Sequence, residues 1–251
     1  MLIEDRIHPR WLSKSYFVAS GNRGVIIDAG TDIKPLLESA VRHGVRITHV
    51  VVTHRHPDHT QSLAAVVAAT GATVVTHAHE AATIPGVDQT VSHNEIIETG
   101  NLSLRFLHVP GHTTGHLAVV VNEEAVFTGD VLFRRSIGGC VGSGCGTFAQ
   151  LQHSLMEILM QLPPKLRVYP GHMDSTTIGE EWENNPFIRI MRGIDPPGEI
   201  QAWFNDAPVI LVLRAPDYDG GTKSWIRAPH GGGDVIVPGS AVHTGSRPLT
   251  W

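Results

Sequence analysis

Between Thr53 and His59 the chain reads Thr53-His54-Arg55-His56-Pro57-Asp58-His59, setting three imidazoles and a carboxylate side by side. Such a string cannot be satisfied inside an apolar core, and imidazole and carboxylate held close together are ligands for zinc or iron. A solvated loop rich in His is the bland alternative. H-x-H-x-D-H directly after a β-branched run is, however, far rarer than a lone histidine. Three later segments also end in donor groups: Pro110-Gly111-His112-Thr113-Thr114-Gly115-His116, Phe127-Thr128-Gly129-Asp130 and Tyr169-Pro170-Gly171-His172. Any one of these alone reads as a turn. In company with the first string they supply the donors that a closed metal site still lacks.

The surrounding elements must bring these segments together. Gly24–Gly30 reads as a short buried strand. Thr31-Asp32 then cap a helix through Leu36, Leu37, Ala40 and Val41, stopped by Gly44. Ile47–Thr53 is a β-branched run and predicts a central strand, Leu63–Ala69 a helix, and Ala72–Thr76 the next strand. The first donor string therefore sits where a buried strand hands over to a helix, at the carboxyl edge of a sheet, where α/β folds bind ligands. Leu102–Leu107, Leu117–Val121 and Ala125–Thr128 predict a strand meander, Phe148–Leu162 an amphipathic helix, and Val168-Tyr169 a last short strand. The pattern is α/β (α+β), with helices covering the outer faces of paired sheets. Asp195-Pro196-Pro197-Gly198 reads as a linker, dividing residues 1–193, the expected catalytic domain, from residues 194–251. That short β and loop extension shows one convincing strand, Val209–Leu213, and is too small to hold a good core alone. It is expected to pack on the main core, with Trp203, Trp225 and Trp251 as pins.

Composition narrows the function classes. The 251 residues are 41% hydrophobic and 17% charged, which suits a large buried core. The net charge of −5 gives no basic footprint for nucleic acid or an anionic membrane. No apolar run reaches the length of a membrane span. Met1–Arg6 lacks the basic and apolar regions of a signal peptide, so a cytoplasmic location is expected. Two Cys cannot make a disulfide scaffold. The sequence does not fix the oligomeric state.

The order H-x-H-x-D-H, P-G-H-T-x-G-H, F-T-G-D, Y-P-G-H resembles that of the metallo-β-lactamase-fold hydrolases, over about residues 15–192. Within them it is most similar to the glyoxalase II (hydroxyacylglutathione hydrolase) group, as is the segment Thr176–Pro186. The resemblance implies a four-layer αβ/βα sandwich with metals in a cleft along one edge. It also implies that His54, His56 and His112 hold one ion, that Asp58, His59 and His172 hold a second, and that Asp130 bridges both. Two divalent ions, zinc by default with iron or manganese as alternatives, would bring a shared water to a pKa of ~7 or below. The resulting bridging hydroxide is the expected nucleophile, with Asp58 orienting it or accepting its proton. The expected substrate is a small molecule, a thioester or other thiol conjugate, with no nucleic-acid or membrane partner. A rival is a persulfide dioxygenase-like oxidoreductase using a single iron on His54, His112 and Asp130. The chain departs from full-length glyoxalase II in its tail, where that group continues into a helical domain.

Other polar residues take structural readings. His116 is expected to support ligands rather than act as one. His77 and His79 read as surface or helix-start residues, and His49 as a packed core imidazole. Cys140 and Cys145 read as a reduced loop pair near Asp130, with a redox-active or substrate-sensing pair as the alternative. Arg214, Lys223 and Arg227 read as solvated surface charge by default, with contact to an anionic substrate as the alternative.

Overall fold

The computed structural model describes residues 1–245, so Trp251 lies outside the described residues. Two six-stranded sheets carry the fold. The first runs in sequence order: β1 (Leu2–Ile7), β2 (Lys14–Ser20), β3 (Arg23–Ile27), β4 (Arg46–Val51), β5 (Thr73–His77) and β6 (Gln89–Val91). β3 to β6 are parallel, whereas β1, β2 and β3 pair antiparallel. Strand β7 (Ile96–Thr99), which was not anticipated, pairs with the expected meander of β8 (Leu102–His108), β9 (Leu117–Val121) and β10 (Ala125–Gly129). A small hairpin follows, β11 (Leu132–Phe133) and β12 (Ser136–Ile137). β13 (Arg167–Pro170) then adds parallel to β10, and β14 (Thr176–Thr177) closes the second sheet in the order β14-β13-β10-β9-β8-β7.

Alternation along the strands explains the layering. In β2, Tyr16 and Val18 point inward with Val25, Ile27, Val51 and Val75 to meet Leu104, Phe106, Val119 and Phe127 of the second sheet. Phe17 and Ala19 point outward and pack with α1 (Lys34–Arg42) and α3 (Leu63–Thr70) through Leu36, Ala40 and Val66. The outer face of the second sheet packs Val120, Val126 and Val168 on Leu151, Leu155, Phe187 and Ile188. Helix, sheet, sheet, helix is thus the four-layer arrangement expected. β1 and β2 were not anticipated, because β1 is a polar edge strand and β2 lies outside any βα repeat.

The helix expected over 148–162 is one continuous rod of changing pitch. It starts as α5 (Phe148–His153), capped by a reciprocal pair between Thr147 and Gln150, widens to a π-turn at Ser154–Ile158 and tightens at Leu159–Gln161. Gly111 lies against it so closely that a Cβ there would stand 2.5 Å from the Leu151 Cα. Short helices α6 (Ile178–Asn184) and α7 (Pro186–Met191) follow the second sheet.

The tail holds far more strand than its sequence suggests. β15 (Ile200–Phe204), β16 (Ala207–Pro216), β17 (Thr222–Arg227), β18 (Asp234–Pro238) and β19 (Val242–Thr244) form one sheet in the order β18-β17-β16-β15-β19. Val212, Ala215, Trp225 and Ile236 join the outer core of the second sheet, while Ala202, Val209, Leu211 and Val237 form a small core of their own. Trp225 is buried against Phe148, ring centroids 4.8 Å apart. Trp225→Ala is therefore expected to cost ~3–5 kcal/mol by cavity formation. Trp225→Phe, which also removes a buried indole N–H without a partner, is expected to cost much less. Urea midpoints at unchanged m-value will show the ranking.

Candidate metal centre

Four strands, β4 of the first sheet and the co-directional β8, β10 and β13 of the second, each deliver donors at their carboxyl ends to one edge of the sandwich. His54 and His56 leave β4. Asp58 and His59 lie on α2 (Pro57–Thr60), a single turn started by Pro57. His112 follows β8, Asp130 follows β10 and His172 follows β13. All seven residues singled out in the sequence come together here, as one set of His54, His56 and His112 beside another of Asp58, His59, Asp130 and His172.

The carboxylate of Asp130 lies between the sets. Its Oδ2 is 3.7 Å from His112 Nε2, 4.0 Å from His54 Nε2 and 3.3 Å from His172 Nε2. Its Oδ1 is 3.4 Å from His59 Nε2. Asp58 Oδ2 lies 3.4 Å from His59 Nε2 and 3.5 Å from His172 Nε2.

Most of these rings are held from behind. His112 Nδ1 donates to the Gly139 carbonyl at 2.8 Å, and His59 Nδ1 to the Asp28 carboxylate at 2.8 Å. Thr53 Oγ1 donates to Asp28 and is therefore left to accept from His54 Nδ1 at 3.0 Å. Fixing the proton on Nδ1 turns the Nε2 lone pair inward, the usual arrangement of a ligating histidine. The consequence is a conflict. His54 Nε2 and His112 Nε2 both face His56 Nδ1, at 3.0 and 2.9 Å, so one proton at most serves three nitrogens. In addition, His59 Nε2, Asp130 Oδ1 and His172 Nε2 are buried with no hydrogen-bond partner. Cations between these atoms would satisfy all of them, so the donors present fit a metal site.

The electrostatics agree. Burial lowers the pKa values of His54, His56 and His112, the last to about 4, so all three are unprotonated lone-pair donors at neutral pH. Burial alone would also lower His59 and His172, but Asp130 reverses this, helped by Asp28 at His59 and Asp58 at His172. Against burial, His172 and His59 hold both Asp130 and Asp58 below the carboxylate range.

The sequence pattern of the Metallo-beta-lactamase superfamily matches residues 8–172. The chain belongs to that superfamily. It is similar to the hydroxyacylglutathione hydrolase of Pseudomonas aeruginosa (strain LESB58), 33% identical over 211 residues, 77% of this chain and 79% of that one. The enzyme of the same name from Rhodopseudomonas palustris (strain BisB18) is 36% identical over 160 residues, 62% of this chain, and this chain spans only 61% of its length. Among solved structures, ETHE1 from Myxococcus xanthus superposes with a TM-score of 0.68 at 29% identity, over 78% of this chain and 92% of that one. TTHA1623 in a di-iron-bound form gives 0.64 at 30% identity, over 73% and 99%.

Several residues that build this site were not foreseen. Asp28, at the end of β3 with φ +58°, binds the Thr53 amide and hydroxyl as well as His59, and so braces both donor sets. The Asp-x-Gly closing its strand was the available signal. Gly30 and Gly171 leave the room the site needs. A Cβ would stand 1.5 Å from the Asp58 carbonyl oxygen at Gly30 and 2.1 Å from Asp130 Oδ1 at Gly171. His116 plays the supporting part expected of it, accepting the Asp130 amide at 3.0 Å and stacking on His54. Arg55 points away from the donors into a bidentate pair with buried Glu80. His49 is half-buried rather than packed in the core.

The tail supplies one wall. A cavity of about 290 Å³ opens onto His56, His112 and Asp130, and β16, β17 and their turn line it with Asp217, Tyr218 and Lys223. The Tyr218 ring stacks on His172 at 3.8 Å. Lys223 was expected to be solvated, but it is 5% exposed, donates to the Ile137 carbonyl and lies 3.1 Å from Asp217. Both cysteines are free thiols: Cys140 is buried, its thiol pushed up to about 11 by burial, and Cys145 donates to the Val141 carbonyl. A larger hollow of about 720 Å³ beneath α1 gathers no convergent donors.

Asp28→Ala removes the brace of His59 and of Thr53 together. Equilibrium dialysis against zinc should show affinity at this site falling roughly 10–100-fold. Unchanged affinity would mean that Asp28 is not the brace.

Proposed function

We propose that this chain is a metal-dependent hydrolase of thioesters or related thiol conjugates. The observation that carries this reading is Asp130, one buried carboxylate shared between two sets of inward-facing donors. His54, His56 and His112 would hold one divalent ion, Asp58, His59 and His172 another, and Asp130 both, with zinc as the default. When bound, such ions supply a water ionised near neutral pH and neutralise charge growing on a carbonyl oxygen.

The chain's own groups provide the rest. Asp58 is half-buried and kept ionised by His59 and His172, so it can accept or orient a proton at the cleft. Tyr218, backed by the buried ring of Phe133, flanks His172 and offers an apolar face to the acyl group or its carrier. The Lys223–Asp217 pair leaves that wall close to neutral. No protein nucleophile is needed, and the two free thiols suit the expected cytoplasmic setting.

Among the described residues, no helix is long and apolar enough to cross a membrane. The similarity to hydroxyacylglutathione hydrolases supports a thioester, with the acyl group and carrier to be found by a substrate panel. A second reading rests on the likeness to ETHE1: a single iron on His54, His112 and Asp130, with oxygen as co-substrate and a persulfide as substrate.

Metal analysis of the native protein with a thioester panel tests the proposal. Zinc-dependent hydrolysis, lost on chelation and restored by zinc, is expected. One iron per chain with oxygen uptake on a persulfide would replace it with the second reading. Asp130→Ala should lower kcat/KM by on the order of a thousandfold or more and loosen both ions. His172→Ala should empty one position only, and two ions still held tightly would show that the donors divide differently. Protons compete for His59 and His172, whose pKa values lie above the usual histidine value in the metal-free chain. Zinc affinity should therefore rise with pH through and above that range and fall on acidification, with proton release in calorimetry as the measurement.

A further inference from the structure

The geometry that gathers the seven donors gathers one further group among the described residues: His77, His79 and His108, with one ligand atom from each lying within 4.8 Å of the others. We propose that these three imidazoles form a separate site for a first-row transition-metal dication of borderline softness, such as zinc or nickel. The proposal stands apart from the hydrolase reading.

His77 closes β5, His79 lies on α4 (Ala78–Ala81), and His108 closes β8, so the site bridges the two sheets beside the catalytic edge. The His77 and His108 rings stack 4.0 Å apart, and His79 stands edge-on to both. Two of the rings are held from behind in the manner of ligands. His108 Nε2 donates to the Thr114 carbonyl at 3.0 Å, and His79 Nδ1 reaches the same oxygen at 3.4 Å. Each is thereby left with a lone pair on its other nitrogen. His77 Nδ1 accepts the His79 amide at 3.2 Å, a helix-start contact that ligation would replace, and the stacked rings would splay to admit the ion. Burial, with neighbouring imidazoles, holds His77 to about 4 and also lowers His108, so neither competes by binding a proton at neutral pH.

The ligand class follows from the donors. The nearest carboxylate, Glu80, is committed to Arg55 and to the Gly115 amide. A site of imidazoles alone selects zinc, nickel or copper over magnesium or calcium.

The test uses the full chain after its Asp130 centre has been saturated with zinc and excess zinc removed. Further zinc, followed by calorimetry and by metal analysis after gel filtration, is expected to bind as one additional equivalent per chain. His77→Ala/His108→Ala and, separately, His79→Ala should weaken that event at least a hundredfold and leave hydrolysis by the loaded enzyme unchanged. No further event in the unaltered chain overturns the proposal, whatever the variants do. So does an event that persists in the variants, or one seen only at millimolar zinc, which would mark adventitious binding. If the double variant does not fold, His79→Ala decides. A failed thioester panel would leave this metal count untouched.

Discussion

A carboxylate buried without countercharge is among the most unfavourable groups a fold can contain. Asp130 is 6% exposed and ringed by the Nε2 atoms of His54, His59, His112 and His172 at 3.3–4.0 Å. The rings beside it cannot all be donors, since Thr53 and Gly139 fix the protons of His54 and His112 on the far side. Positive charge must therefore come from protons on His59 and His172 or from bound cations. Much of the architecture serves this one requirement. Four strand ends deliver the donors, Asp28 and Gly139 hold rings from behind, and Gly30 and Gly171 vacate the space the carboxylates and backbone need.

The layered fold keeps that arrangement stiff. Each sheet is covered on both faces, the first by its partner and by α1 and α3, the second by its partner and by the changing-pitch rod that begins with α5. Strands packed on two sides cannot slide by one residue without exchanging their inner and outer faces. The strand ends, and the donors on them, inherit this rigidity.

How far the chain could be read before its structure follows from the range of the signals. The βα repeats from Val25 to Thr76 and the donors His54 to His172 were legible because each depends on local pattern: apolar period, a turn glycine, a donor at the end of a strand. β1 was not, because its half-exposed, charged strand carries no apolar alternation. The tail's strands escaped for a similar reason, since Gly, Pro and Asp interrupt their apolar runs and the sheet is stabilised by packing on Phe148 and its neighbours. Asp28 was passed over despite its place in an Asp-x-Gly, and Lys223 was misjudged, because their partners, His59 and Asp217, are assigned by tertiary contact. The cluster of His77, His79 and His108 likewise exists only once β5 and β8 are brought together.

The turn that carries Asp217 and Tyr218 joins two strands of a sheet anchored elsewhere, by Trp225 and Ile236. Its tip can lengthen, shorten or change side chains while the donors on the sandwich edge stay where they are. On the proposed hydrolase reading, shape selection at the mouth and reactivity at the base would be governed largely by separate stretches of polypeptide, meeting where Tyr218 stacks on His172, and a graft of this hairpin that keeps Tyr218 would be the economical route to a different range of cleaved molecules.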